Sequence, residues 1–389
     1  MIYLDHHATT PVAPEVVAAM LPYFGERFGN PSSRHHAFGE EAHRAVEEAR
    51  ARVAGLVGAA PEEIVFTSGA TESDNLAVRG AARANAERGR HVVTTVLEHP
   101  AVLEPCRTLE REGFAVTRVA AGSDGVVAVE AVARAVRADT VLVSVMAANN
   151  EIGTLQPIGE LGALCRERGI LFHSDAVQAI GRTTVSVDAW SVDLMSLSAH
   201  KMYGPKGVGA LYVRRGRKPR VRLQAQAEGG GQEKGVRSGT LNVPGIVGFG
   251  VAARLAADAL SGGEPDRIRA LRDRLLARLR ERISGVQVNG SLEARLSGNL
   301  HVSIEGAEAE TLLLSLGARI ALSAGAACAE AGGKGSHVLR AIGLPDARVY
   351  TSLRFGIGRY NTPAEVDAVV DALAEAVKEA RSRTSPVRE

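Results

Sequence analysis

Two hydrophobic periods alternate along the first half of the chain. Short apolar runs read as buried strands: Ile64-Val-Phe-Thr, Val92-Val-Thr-Thr-Val, Ala115 to Val119, Thr140-Val-Leu-Val-Ser-Val-Met and Ile170-Leu-Phe-His-Ser-Asp. Between them, Phe38 to Val57, Pro100 to Glu112, Val129 to Val136 and a stretch near 158–168 space their apolar residues as amphipathic helices do. Strands that are apolar almost throughout, alternating with helices, predict a mostly parallel sheet covered on both faces. Two more apolar runs, Val192 to Leu197 and Val208 to Val213, flank Ser198-Ala-His-Lys-Met-Tyr-Gly-Pro-Lys-Gly.

The second half is organised differently. A helical pattern from Ile246 to Leu260 ends at Ser261-Gly-Gly-Glu-Pro, a plausible domain break, and Ile268, Leu271, Leu275, Leu276, Leu279 and Ile283 stripe the next helix. Strand-like pieces follow at Gly298 to Ile304 and near Arg354. The last helix opens at Thr362-Pro-Ala-Glu365, a capping box with proline at the first helical position, and residues 381–389 are expected to fray.

Composition adds little to this picture but narrows the function. With 389 residues, 45% hydrophobic and 23% charged, the chain can bury a large core, most simply as two domains. A formal net charge of +2 gives no argument for nucleic acid or membrane. No apolar run approaches the ~20 residues that span a bilayer, and Met1-Ile-Tyr-Leu-Asp-His-His has no signal-peptide pattern, so a cytoplasmic location is expected. Three cysteines at 106, 165 and 328 make neither a disulfide framework nor a CxxC pair. Cys106 and Cys165 sit in helical patterns as small core residues. Cys328 lies among small residues, Ser323-Ala-Gly-Ala-Ala-Cys-Ala-Glu-Ala-Gly-Gly, and reads as mobile and accessible. His6-His7, His35-His36 and His43 lack partners at ligand spacing, so no metal site is expected. The basic run Arg214, Arg215, Arg217, Lys218, Arg220 and Arg222 reads as a solvated loop or a surface for an acidic partner, and no GxxxxGK[ST] loop occurs.

The chemistry concentrates where a parallel sheet places it. Ligands bind beyond the carboxyl ends of such strands, and His99, Asn150, Asp175, Gln178 and Lys201 all fall just after one. Crowding at Lys201 would disfavour the ammonium and leave a nucleophilic amine of the kind that forms Schiff bases, most often with pyridoxal 5'-phosphate. A surface lysine on a turn is the plain alternative. Asp175 could partner a pyridinium or simply cap the helix after it. Phe66-Thr-Ser-Gly-Ala-Thr could cradle an anion at a helix start, or be a helix capped by its own Thr71 and Asp74.

Tyr3-Leu-Asp-His-His-Ala-Thr-Thr-Pro, Phe66-Thr-Ser-Gly-Ala-Thr-Glu-Ser-Asp-Asn, Asn149-Asn-Glu-Ile-Gly and His173-Ser-Asp-Ala-Val-Gln resemble segments of cysteine desulfurases. So do Ser198-Ala-His-Lys-Met-Tyr-Gly-Pro-Lys-Gly, Gly229-Gly-Gly-Gln-Glu and Arg237-Ser-Gly-Thr-Leu-Asn-Val-Pro, in the same order over nearly the whole chain. That group belongs to the class V aminotransferases. The resemblance implies an α/β fold of the type I pyridoxal-phosphate enzymes, with a mostly parallel seven-stranded sheet between helices and a smaller α+β C-terminal domain. It implies a large cofactor-binding domain over 14–258. Residues 1–13 and 259–389 would form the small domain, which carries a cysteine loop at about 321–335.

By position, Lys201 would bond the cofactor, Asp175 would pair with its ring nitrogen, and His99 would stack on the ring and move protons. Gln178 and Asn150 would contact the ring oxygen or the substrate. Ala70, Thr71, Ser198 and His200 would bind the phosphate, with Thr240 reaching the phosphate of the other subunit of a homodimer. Arg354 would hold the carboxylate of L-cysteine. Cys328 would take the sulfur as a persulfide for an acceptor or scaffold protein, iron–sulfur cluster assembly foremost, and could ligate a cluster during transfer. Ala324-Gly-Ala-Ala departs from the serine-richer loop of that branch. Selenocysteine lyase, another class V aminotransferase and a non-catalytic sulfur-assembly scaffold are the alternatives.

Overall fold

A computed structural model describes residues 1–216, 219–324 and 335–384. In chain order its strands are β1 (Ile2–Tyr3), β2 (Ile64–Thr67), β3 (His91–Thr95), β4 (Ala115–Val119), β5 (Thr140–Ser144) and β6 (Leu171–Asp175). They continue with β7 (Leu194–Ser198), β8 (Gly209–Val213), β9 (Val286–Val288), β10 (Asn299–Ile304), β11 (Ile320–Ala321) and β12 (Ser352–Gly356). Seven of them form one sheet in the order β2-β8-β7-β6-β5-β3-β4. Pairings among β4, β3, β5, β6 and β7 are parallel, while β8 runs antiparallel to both β7 and β2.

The continuous apolar runs are explained by burial on both faces. Along each central strand, alternate residues enter separate cores: Val92, Leu142, Leu171 and Leu194 pack on one face, Val93, Val143, Phe172 and Met195 on the other. Cys106 and Cys165 are fully buried in these layers, and burial pushes both thiols up to about 12, which makes them inert packing residues at neutral pH.

A second layer gathers residues from both ends of the chain. Antiparallel β10 lies between β9 and β12, and β1 pairs in parallel with β11. Helices Glu264–Arg282, Ala309–Leu316 and Pro363–Thr384 back this part, whose core also takes in Leu4. Thr362 and Glu365 form the expected reciprocal capping box: the Thr362 N–H donates to Glu365 at 2.9 Å and the Glu365 N–H to the Thr362 hydroxyl at 3.3 Å. The helix they start runs to Thr384, so residues 381–384 do not fray as expected. Arg381 Nη2 holds the end by donating to the Ser284 carbonyl at 2.9 Å.

Two sequence expectations need correction. Helix Val243–Ser261 is, by length and composition alone, apolar enough to cross a bilayer, although Arg254 and Asp258 interrupt the run. It is instead a core helix against Ala37–Val57, where Gly250 sits so close to Ala49 that a Cβ would lie 2.6 Å from the Ala49 Cα. The basic run is not uniformly solvated. Arg214 is buried in an ion pair with Asp193, whose other oxygen accepts the Phe172 N–H at 2.8 Å, whereas Arg215, Arg220 and Arg222 are exposed.

The glycine-rich stretch after this run has a structural job. Glu233 buries its carboxylate in a bidentate pair with Arg50, both contacts 2.8 Å, and accepts the Phe66 N–H at 2.8 Å. It thereby satisfies a backbone donor on β2, an edge strand. Arg50 also donates to the Ile64 carbonyl and stacks over the Phe66 ring. Glu233→Ala removes the buried partner of Arg50 and leaves it only the half-exposed Glu47, at 3.1 Å, which should destabilise the protein by about 3–5 kcal/mol. Urea midpoints of the variant and the parent measure this, and an unchanged midpoint would show that the pair contributes nothing.

Candidate active site

The carboxyl ends of β6 and β7 open into a cavity of about 890 Å³. Its walls also include the first residues of the chain and β12. Lys201, Asp175, His99, Asn150, Gln178, Ser198, His200, Ala70, Thr71 and Arg354, predicted from scattered positions, all line it. Thr240 does not; it is exposed, away from this cavity. Cys328 lies outside the described residues, while Ser323 before it and His337 after it border the cavity.

Asp175 ends β6. Its Oδ1 accepts the Val177 N–H at 2.9 Å, so the carboxylate does cap the following turn, with one oxygen only. Burial holds its carboxyl above the usual carboxylate range, although the Val177 N–H, His99 and Lys201 pull the other way. No described residue forms an ion pair with it.

Lys201 closes a short turn, Ala199–Lys201, directly after β7. Its Nζ donates to the His7 carbonyl at 2.7 Å and the Ala8 carbonyl at 2.6 Å. Burial first, then the Arg182 and Arg354 guanidiniums, lower the amine to about 7, with Asp175 and Asp5 opposing. At neutral pH a large fraction is therefore the free, nucleophilic base.

His99 precedes helix Pro100–Arg111 and accepts the Ala101 N–H on Nδ1 at 3.1 Å, which leaves its proton on Nε2. Burial lowers its pKa. His200 is brought to about 4 by burial and shares Nδ1 with the Thr9 hydroxyl at 3.1 Å. The Gln178 carboxamide is engaged by the N-terminal segment: Nε2 donates to the His7 carbonyl at 3.0 Å, and Oε1 meets His7 Nδ1 at 2.9 Å. Arg354 donates to Asp5 and to the Asn150 carbonyl, both at 2.8 Å, and its buried Nε has no partner.

The helix from Ala70 starts at Gly69 with no side-chain cap, contrary to the reading in which Thr71 and Asp74 cap it. Gly69 has φ +152°, ψ 180°, a conformation open to glycine, and Gly209 of β8 lies so close that a Cβ there would meet the Gly69 Cα at 2.8 Å. Asp74 is instead fully buried with neither oxygen hydrogen-bonded, and burial beside Asp175 raises its carboxyl well above the usual range. Its neighbour at 3.6 Å is His173, whose two ring nitrogens bond Ser144 at 2.8 Å and Ser196 at 3.0 Å, and whose pKa burial lowers to about 3. A neutral carboxyl and a neutral imidazole thus underlie the cavity floor, and the two residues share a face of β6 with Asp175 or pack against it.

These residues fit pyridoxal 5'-phosphate. A reactive amine, a buried carboxylate without a cation, an uncapped helix start flanked by Ser198 and His200, and an imidazole converge on one cavity. Sequence reasoning missed His7, Arg182, Asp74, Glu98 and His337. The His6-His7 pair has no partner at ligand spacing in the sequence; here His6 turns to the Gly356 carbonyl, and His7 lines the cavity. A pattern signal existed for Arg182 alone, four residues after Gln178 on the same turn.

Trace acetylation of the cofactor-free protein across pH 5–11 reads the Lys201 amine directly. Half-maximal labelling of its peptide should fall near pH 7, rising with pH as the proton leaves, against ~10.4 for an ordinary lysine. A midpoint above pH 9 would contradict the buried, cation-flanked amine.

Comparison with known proteins agrees with this geometry. The family model for class-V aminotransferases matches residues 2–369. The cysteine desulfurase IscS of Anaeromyxobacter dehalogenans (strain 2CP-C) is 53% identical over 388 residues, covering 100% of this chain and 95% of that protein. A solved NifS-like protein superposes with a TM-score of 0.90 at 39% identity, covering 97% of this chain and 99% of the other. SspA, solved in complex with cysteine, gives 0.81 at 37% identity over 93% of this chain and 100% of that one. This chain therefore belongs to the class-V aminotransferase family and, within it, to the cysteine desulfurases.

Proposed function

We propose that the chain converts L-cysteine to L-alanine with pyridoxal 5'-phosphate, and that Cys328 carries the sulfur as a persulfide toward iron–sulfur cluster assembly. The observation that carries this reading is the Lys201 amine, lowered to about 7 in the same cavity as the cation-free carboxylate of Asp175. The full-length likeness to cysteine desulfurases supports the reaction, and the cysteine bound to SspA supports the substrate.

When bound, the cofactor supplies an electron sink next to the carbon that bears the substrate's amino group. Lys201 would hold it through the neutral amine. Asp175 would pair with the ring nitrogen and keep it protonated. The start of the helix at Ala70 and Thr71, with Ser198 and His200, would receive the phosphate. His99 would stack on the ring and offer Nε2–H for proton movement, while Asn150 and Gln178 would contact the ring oxygen or the substrate. Arg354 exchanges Asp5 for the substrate carboxylate, a bidentate pairing that its fork of donors favours. Cys328 accepts the sulfur: a new S–S bond forms, the Cβ–S bond breaks, and its electron pair stays on carbon, which becomes the alanine methyl on protonation.

The exposed position of Thr240, outside the cavity of its own chain, supports a homodimer in which it would reach the phosphate held by a second copy. Delivery of sulfur to an acceptor or scaffold protein, with Cys328 ligating a nascent cluster, completes the proposed role. A cytoplasmic location agrees with the unpaired Cys106 and Cys165.

Cys328→Ser should bind cofactor and L-cysteine as the parent does yet form no alanine, since a serine hydroxyl is barely ionised and accepts sulfur poorly. Alanine formed at the parental rate would remove Cys328 from the reaction. Arg354→Lys should raise the apparent cysteine dissociation constant by roughly 10- to 150-fold, from about 1.5–3 kcal/mol of lost charge-assisted pairing, without loss of cofactor. Unchanged cysteine affinity in a titration would exclude Arg354 from the carboxylate site.

A further inference from the structure

Among the imidazoles that line the cavity, His337 has no part in the proposed reaction. His337 begins the short helix His337–Ala341, just after Ser336, whose hydroxyl caps that helix at the Leu339 N–H and donates to the buried carboxylate of Glu151. Ser336 and Glu151 are each about 1% exposed, so the backbone that presents His337 is fixed at a buried point. The imidazole reaches across to the Glu98 carbonyl, 3.2 Å from Nε2. A carbonyl can only accept, so Nε2 carries the proton and Nδ1 is left with a lone pair.

This is the same tautomer as that of His99, the residue immediately after Glu98, but the nitrogen left free differs. His99 accepts the Ala101 N–H on Nδ1 and keeps its proton on Nε2. Two cavity-lining imidazoles, tied to the Ala101 N–H and the Glu98 carbonyl, are thus left by their backbone partners with different free nitrogens, Nε2–H on His99 and Nδ1 on His337. One presents an N–H donor and the other a basic nitrogen. A desulfurase has work for both, because its substrate must change protonation at carbon and at sulfur.

We propose that His337 is a further catalytic residue, the general base that takes the proton from the sulfur of the bound amino acid. In this step the S–H bond breaks, its electron pair stays on sulfur, and the proton forms a bond to Nδ1. Nothing is oxidised or reduced. The resulting imidazolium keeps its Nε2–H on the Glu98 carbonyl, which becomes a stronger, charge-assisted partner and stabilises the cation as it forms. The groups facing this imidazole are His99, with which it interacts electrostatically, and the Glu98 carbonyl. The inference rests on the desulfurase reading given above and adds to it the residue that handles the thiol proton.

His337→Gln tests it, since a glutamine amide can still donate to the Glu98 carbonyl but has no basic nitrogen. In the holoenzyme, alanine formation from L-cysteine should fall about 10²–10⁴-fold in kcat. KM and bound cofactor should change little. The wild-type protein gives an independent readout that needs no variant and no turnover. Nitrogen-15 histidine spectra of the cofactor-free protein should show His337 protonated at Nε2 and His99 likewise, with His337→Gln removing one of the two signals. A parental kcat in His337→Gln, or a His337 proton on Nδ1, would overturn the proposal. Lost activity accompanied by lost cofactor would make His337 a structural residue and equally overturn it. Failure of the desulfurase reading itself would look different, with no alanine from L-cysteine in the wild type.

Discussion

A primary amine packed among protein atoms beside two guanidinium groups cannot keep its proton easily at neutral pH, and the cavity is arranged around that constraint. Arg182 and Arg354 stand near Lys201 as cations, and burial removes the water that would otherwise solvate the ammonium. The same burial acts in reverse on Asp175, whose carboxylate would be stabilised by a cationic ring nitrogen. The amine and the carboxylate are strained in complementary senses, and a ligand with an aldehyde at one end and a basic ring nitrogen at the other relieves both. The rest of the large sheet serves to hold these two strand ends side by side. β6 and β7 are adjacent and parallel, so Asp175 pairs in register with Ser196, two residues before Ser198.

How much of this was legible in the sequence depended on whether the signal was local. Strands with apolar centres such as Thr140–Ser144 announced a sheet buried on both faces, and the sheet is of that kind. The strand-end position of His99, Asp175 and Lys201 followed from the same pattern, because a parallel sheet aligns its carboxyl ends. Phosphate-cradle residues were legible as a strand-to-helix break, although the pattern could not say whether Asp74 capped the helix or turned inward. It turns inward because it lies one turn past Gly69, on the side facing β6 and β7, where its carboxyl meets His173.

What the sequence concealed was tertiary. Arg354 and Asp5 are 349 positions apart yet bonded, because the first residues pair with β11 and bridge to Gly356. No local periodicity reports a contact of that span. The glycine-rich segment before Arg237 carries no periodic pattern that assigns it a role. Its Glu233 is a buried clamp on the edge of the sheet, at φ 48°, and the clamp in turn sets where Arg237 meets Glu72 beside the phosphate cradle. His337 escaped notice for a related reason. Its importance comes from one hydrogen bond to a carbonyl 239 positions earlier, and that bond alone decides which ring nitrogen is basic.

The central claim is that this cavity turns L-cysteine into L-alanine and hands on sulfur, in place of exchanging amino groups as other class-V relatives do. Purified protein loaded with pyridoxal 5'-phosphate and given L-cysteine with a thiol acceptor should release L-alanine and protein-bound or acceptor-bound sulfane sulfur in equal amounts, with no keto acid. Release of a keto acid in place of alanine, or alanine without matching sulfane sulfur, would contradict the account.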